Sequence, residues 1–510
     1  MPANSDPPQL SREGNRTQLI VGGQPFLMLA GEVHNSSAAS LEYMDQRVWG
    51  ALTAAGCNTA LLPVYWELLE PEEGRFDFAL VDGLLVGARQ RGLRLVLLWF
   101  GTWKNAMSTY APAWVKTDLA RFPRAQVVRG VSAGSVSALS QQACQADARA
   151  FAALLRHLKQ IDAVEQTVLM MQVENEPGIL GGARDVSPAA EVAFAGPVPE
   201  ELMGSLEARR EALLPGFRQI WEAAGRRREG AWESVFGEAA SEVFMAWHTA
   251  RYIEAVAAAG AAEYPLPMFA NAWLVQSCGD RPGAYPSGGP VAKMLDVWRA
   301  AAPHLGALAP DIYRPDFRAV CAEYARSGNP LIIPESPTRG AEARVFSALA
   351  HYDALCFAPF GIDSLPDPTR LAESYQAIAG MLPLLAAHQG TGRMVGIDQE
   401  DGRPLTFPLG RYQLQVDFHR ADPGEHAAGR GLVIALEDTR YLLLGAGYTL
   451  RWHPSPGDLR SLEFLSVEEG LYQAGAWHPL RRLNGDEAQG AFLRFGDTLT
   501  TCLVELHSYP

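Results

Sequence analysis

Glu176 and Glu335 are the residues of this chain whose setting suits paired acid–base and nucleophilic chemistry. Glu176 belongs to Glu174-Asn175-Glu176-Pro177-Gly178, which closes the apolar run Thr167-Val168-Leu169-Met170-Met171-Gln172-Val173. Such a run reads as a buried strand, and the Pro-Gly pair ends it abruptly. Glu335 ends a second short apolar run, Leu331-Ile332-Ile333-Pro334. A glycosidic bond is cut by two carboxyl groups, one protonating the departing oxygen and one attacking or activating water. Carboxylates at the C-terminal ends of parallel barrel strands are placed for that work. Asn175 puts an amide beside the acid, where it can bond a sugar hydroxyl. Tyr313, closing the run 307–313, can donate to the nucleophile and keep it ionised and oriented. Glu174 competes for the acid role; its expected place is below the mouth, in an ion pair.

Something must hold these groups together. Short apolar runs at 26–32, 58–64, 93–100, 168–174, 266–271, 307–313, 330–335 and 354–361 alternate with amphipathic stretches. That alternation predicts an α/β fold, a (β/α)8 TIM barrel over residues 18–390. Helices are expected at 41–55, 78–90 and 147–161, with Gly56 and Gly92 at their C-terminal ends. The interval 178–265 is too long for one crossover and reads as a helical insertion over the pocket face. Beyond residue 390 the pattern turns to period two, as in Tyr412-Gln413-Leu414-Gln415-Val416, which predicts an antiparallel all-β domain over 391–510. The open roles for that domain are to bind sugar, to join copies of the chain in a homo-oligomer or to cover the barrel flank. The last two are expected, because edge strands and exposed apolar flanks need a partner.

Bulk composition excludes some classes. A formal net charge of -14 leaves no basic excess for nucleic acid or an anionic membrane. No uncharged apolar stretch is long enough to cross a bilayer. The polar, Pro-containing start lacks a signal-peptide pattern, so a cytoplasmic location is expected. The six cysteines are scattered without Cys-x-x-Cys spacing, which predicts free thiols and no zinc site.

The strand-four Asn-Glu and strand-seven Glu together resemble the clan of (β/α)8 retaining glycosidases. More narrowly the chain resembles the β-galactosidases of glycoside hydrolase family 35, in the bacterial branch with a C-terminal β domain. The resemblance rests on Gly31-Glu32-Val33-His34, on Asn58-Thr59-Ala60 through Tyr65-Trp66-Glu67, and on Glu70-Pro71. Gly74-Arg75-Phe76-Asp77-Phe78 and Gln172-Val173-Glu174-Asn175-Glu176 carry it further. It implies Glu176 as acid/base, Glu335 as nucleophile and Asn175 as a sugar ligand. It also implies sugar contacts from Tyr65, Trp103, Asn105, Asn271 and Trp273, where aromatic faces stack on sugar C–H groups. Glu32 and His34 either contact hydroxyls or pair with each other. No metal or cofactor is implied.

The chain departs from that family in Val33-His34-Asn35, in Glu67 after Tyr65-Trp66, and in Pro177 after the acid. The Glu-Pro form occurs in related families, including the β-galactosidases of family 42. The expected activity is a retaining exo-β-galactosidase acting on oligosaccharides, with carboxyl groups about 5–5.5 Å apart. Alternatives are another retaining β-glycosidase (β-glucosidase, β-mannosidase or endo-acting) and a non-catalytic carbohydrate-binding protein.

Overall fold

The computed structural model describes residues 6–14, 16–326, 328–400, 403–419, 429–473 and 475–510. Eight strands form one parallel sheet: β1 (Met28–Glu32), β2 (Thr59–Tyr65), β3 (Arg94–Phe100), β4 (Val168–Val173), β5 (Met268–Trp273), β6 (Ala307–Asp311), β7 (Ile332–Ile333) and β8 (Cys356–Phe357). Their order is β6-β5-β4-β3-β2-β1-β8-β7, so chain neighbours are sheet neighbours at every step except from β6 to β7. This is the TIM-barrel arrangement that the eight runs predicted. Strands β1, β2 and β4 are buried along their whole length, as a parallel sheet covered by helices requires.

Between β6 and β7 there is no ladder. The barrel closes there through the Ile312 N–H, which donates to the Glu335 carbonyl at 2.9 Å. One turn lower, the Asn329 amide accepts from Leu308 N–H at 2.9 Å and donates to the Leu308 carbonyl at 3.0 Å. Prolines explain the brevity of β7 and β8: Pro330, Pro334 and Pro359 flank them and have no N–H to extend a ladder.

Gly56 and Gly92 adopt φ of 75° and 67°, as helix ends of this kind require. The helix expected from 147 starts earlier, at Gln141, because Ser140 caps it by accepting from Ala143 N–H. Asp147 therefore sits inside the helix and is buried. The insertion contains Pro188–Ala195, Glu200–Ala208, Pro215–Ala223 and Trp232–Phe236; Ala240–Glu263 then returns along Gln141–Asp162. A hairpin of Arg124–Val128 and Val131–Val136 after β3 was not foreseen.

The C-terminal chain forms two antiparallel sheets. The larger runs Met394–Asp398, Arg430–Ala435, Arg440–Ala446, Thr500–Tyr509, Ser461–Gln473, Ala476–Arg482 in spatial order. The smaller runs Leu405–Leu409, Tyr412–Phe418, Tyr448–His453, Phe492–Phe495. Val395, Val433, Leu443, Leu414 and Leu450 fill the space between them, as alternation across a sandwich demands. The opposite face of the larger sheet, with Met394, Leu432, Ile434, Leu442 and Leu444, joins the barrel's own core. Gly396 permits this docking, since a Cβ there would collide with the Phe346 carbonyl. Arg318 and Ser347 bond the buried Asp398 across the same contact. All six cysteines are unpaired; Cys57, Cys321, Cys356 and Cys502 are buried and Cys278 is exposed.

Candidate active site

Two segments at the C-terminal rim, 101–107 after β3 and 174–178 after β4, are tied to each other. Asn175 N–H donates to the Trp103 carbonyl at 3.2 Å, and Ala106 N–H donates to the Glu176 carbonyl at 3.0 Å. Asn105, Ala106, Glu174 and Glu176 all have φ between 44° and 64°. Non-glycine residues in the left-handed region cost about 1–3 kcal/mol each, and such residues gather at sites where side chains must be re-aimed. The consequence here is that consecutive residues after β4 point to different places.

Glu174 points to a buried cluster. Its Oε2 accepts from Trp103 N–H at 2.6 Å, and its carboxyl contacts Asp147. Asp147 in turn accepts from Trp99 Nε1 at 2.8 Å and from the Tyr252 hydroxyl at 3.2 Å. The expected ion pair is therefore absent. Burial raises both carboxyls, and Asp147 raises Glu174 further, which favours the neutral form of one acid where a cation had been expected. Gly101 makes room, because a Cβ there would meet Trp99 Nε1 and Glu174 Oε1.

Glu176 turns instead into a cavity of about 380 Å3 lined by Asn35, Lys104, Asn105, Glu176, Trp273, Leu274, Gln276, Asp311, Tyr313, Glu335 and Phe360. Asn105 Nδ2 donates to Glu176 Oε2 at 2.5 Å. Burial, and then the charge of Glu335, raise the Glu176 carboxyl to about 7. Glu335 Oε2 accepts from the Tyr313 hydroxyl at 2.8 Å, and its Oε1 lies 3.5 Å from Asn175 Nδ2. Asn175 Oδ1 accepts from Lys104 Nζ at 2.9 Å.

One carboxylate oxygen from each of Glu176, Asp311 and Glu335 falls within 4.8 Å of the others. Among the described residues this is the one trio of ligand-type side chains close enough to share a cation. Lys104 already brings positive charge to the site, with its Nζ on Asn175 and its pull on Glu32 and Glu176. Acid clustering alone does not make a metal centre.

Of the residues singled out from the sequence, Glu176, Glu335, Asn105, Trp273 and Tyr313 line the cavity. Asn175 and Asn271 stand buried directly behind it, each bonded to a wall residue. Tyr65 and Trp103 are buried in aromatic packing, Tyr65 beside Tyr110 at 5.2 Å and Trp103 edge-on to Tyr252 at 4.7 Å. Among the described residues, the Tyr65 hydroxyl and Trp103 Nε1 nevertheless have no hydrogen-bond partner. Both oxygens of the fully buried Glu32 are likewise unpartnered, and burial followed by the Glu335 charge raises its carboxyl strongly. A Glu32–His34 pair does not form, because His34 Nε2 bonds the Ser364 hydroxyl at 2.7 Å.

Sequence reasoning missed Lys104, Asp311 and Gln276. The available signal for Asp311 was an acid inside an otherwise apolar strand. For Lys104 it was a position between two residues already chosen.

Residues 371–494 match a domain of unknown function, DUF5597. A β-galactosidase from Xanthomonas manihotis is 33% identical over 84 residues, 16% of this chain and 14% of that protein. The solved cold-adapted β-galactosidase from Rahnella sp. R3 is similar at a TM-score of 0.46 and 17% identity, covering 71% of this chain and 57% of that one. A catalytic mutant of a family 42 β-galactosidase from G. stearothermophilus is similar at 0.47 and 14% identity, covering 74% of this chain and 59% of that one. The chain thus spans less than two thirds of each of these proteins.

Proposed function

We propose that the chain is a retaining exo-β-glycosidase that releases terminal β-D-galactose from oligosaccharides. The observation that carries this reading is the approach of Glu176 and Glu335, one carboxylate oxygen of each lying within 4.8 Å of the other. An inverting pair needs about 6.5–9.5 Å to admit a water between carboxyl and sugar; a nucleophile does not. Glu335 attacks the anomeric carbon while Glu176 gives its proton to the departing oxygen. Glu176, now a carboxylate, takes a proton from water, whose oxygen displaces Glu335 from the glycosyl-enzyme. The elevated Glu176 carboxyl supports the acid role, since that group must begin protonated.

Exo action is supported by the size of the cavity: about 380 Å3 stands at the small end of ligand pockets and suits one terminal sugar. Trp273 and Phe360 offer apolar faces, and Lys104, Asn105, Gln276 and Asn35 offer donors and acceptors for hydroxyls. Galactose as the sugar rests on the family resemblance.

A panel of aryl β-galactoside, glucoside, mannoside, xyloside and arabinoside tests the sugar. Glu335→Ala with added azide tests the mechanism: a glycosyl azide of retained nucleophile logic, that is of inverted anomeric configuration, is expected. Unchanged hydrolysis by Glu335→Ala would remove that residue from the nucleophile role.

A further inference from the structure

The two-step reaction leaves Asp311 without a part, although it ends β6 at the centre of the site and is almost fully buried. Its Oδ2 accepts from Asn271 Nδ2 at 2.7 Å, while Asn271 Oδ1 accepts the Glu176 main-chain N–H at 2.9 Å. Only one orientation of the Asn271 amide meets both demands, so that amide fixes Asp311 relative to Glu176. Among the described residues no donor reaches Asp311 Oδ1, yet a carboxylate oxygen of Asp311 lies within 4.8 Å of one of Glu176. Two ionised carboxylates buried this close have no donor between them and repel each other, and a proton on one relieves the repulsion and supplies the donor.

Surroundings decide which one. Asp311 faces Glu32 from β1, Glu176 from the end of β4, Glu335 after β7, and the Tyr313 and Tyr324 phenols. All are acids. The site's cation, Lys104, acts on Glu176 and Glu32, and Asn105 donates to Glu176 as well. The negative form is therefore better supported on Glu176.

We propose that Asp311 holds a proton at neutral pH and donates a hydrogen bond through it to Glu176, as a positioning residue for the acid/base. This rests on the glycosidase reading. In the first step Glu176 passes its own proton to the departing oxygen, and the Asp311 O–H stabilises the carboxylate that results. In the second step that carboxylate takes a proton from water. Asp311 keeps its proton throughout and exchanges no atom.

Asp311→Asn preserves size, the donor toward Glu176 and the acceptor toward Asn271. Infrared difference spectra of substrate-free wild type and Asp311→Asn at neutral pH are expected to show loss of a protonated-carboxyl band. The alkaline limb of kcat/KM is expected to stay in place in Asp311→Asn. Asp311→Leu, which lacks any donor, should move that limb upward and cut kcat more than tenfold where the second step limits. Absence of a lost band overturns the proposal. So does a fall of the Asp311→Asn limb by about a unit, the sign expected from removing a neighbouring negative charge. A lost band in a protein whose wild type cleaves no glycoside supports the proton on Asp311 and overturns the glycosidase reading.

Discussion

The Tyr313 hydroxyl donates to Glu335 Oε2 at 2.8 Å, although the Tyr313 ring stands partly exposed at the cavity mouth. The bond therefore reaches from solvent-facing rim to buried carboxylate. It orients the oxygen that would attack the sugar and spreads its charge. A hydrogen bond to a charged group contributes about 1.5–3 kcal/mol. Tyr313→Phe should lower kcat about 10- to 100-fold, with little change in thermal stability. Steady-state kinetics on an aryl β-galactoside measures this, and an unchanged kcat would assign Tyr313 to the rim alone.

Protonated Glu176 is the reactive form, and its carboxyl is raised to about 7 by burial and by Glu335. Activity expressed as kcat/KM should thus decline as pH rises through about 7. Glu176→Gln has no proton to lose, so its residual rate on a substrate with a strongly acidic leaving group should show no such decline. A limb that survives in Glu176→Gln belongs to another group.

Lys104 opposes the burial and the neighbouring acids, lowering both Glu176 and Glu32. It also bonds Asn175 Oδ1 at 2.9 Å, holding the amide whose other end reaches toward Glu335. Lys104→Met should shift the alkaline limb to higher pH and raise KM about tenfold, the scale of one charge-assisted hydrogen bond. A rise in KM with the limb unmoved would mean that the ammonium binds substrate without tuning the acid.

Stability carries its own pH signature. Burial between Trp232 and Phe244 pushes the His248 imidazole down to about 4 from 6.5. A lowered histidine stabilises the fold fully above its unfolded pKa, and that contribution fades as pH falls from 6.5 toward about 4. The ceiling is on the order of 3 kcal/mol. Urea unfolding at pH 7 and near pH 4.5 should show the loss, and His248→Gln should flatten it. Equal loss in both proteins would place the acid sensitivity elsewhere.

Much of the barrel was legible because a strand covered on both faces must be apolar along its whole length, as Val168–Val173 and Thr59–Tyr65 are. The polar residues that break such runs then mark the rim, and Glu176 and Glu335 stood out for that reason. Side-chain direction was not legible. Tyr65 and Trp103 occupy strand ends, but their rings turn into aromatic packing rather than into the cavity wall. Glu174 and Glu176 are two residues apart, and their left-handed backbone sends one to Asp147 and the other to Asp311. Asp311 was hidden by its own strand, since the run 307–313 drew attention to the tyrosine at its end. Lys104 was hidden by habit of type, because lysines are seldom buried without a close acid.

The seam between β6 and β7 has a consequence for how the site moves. Every other joint of the barrel is a ladder; this one is clasped by the Ile312 amide on the Glu335 carbonyl and by the Asn329 side chain below. Asp311 and Tyr313 stand on one lip and Glu335 on the other. Local opening proceeds where the fewest hydrogen bonds must break together. Any opening of this seam parts the nucleophile from its phenol, and the exchange rate of one amide proton, that of Ile312, is expected to report it.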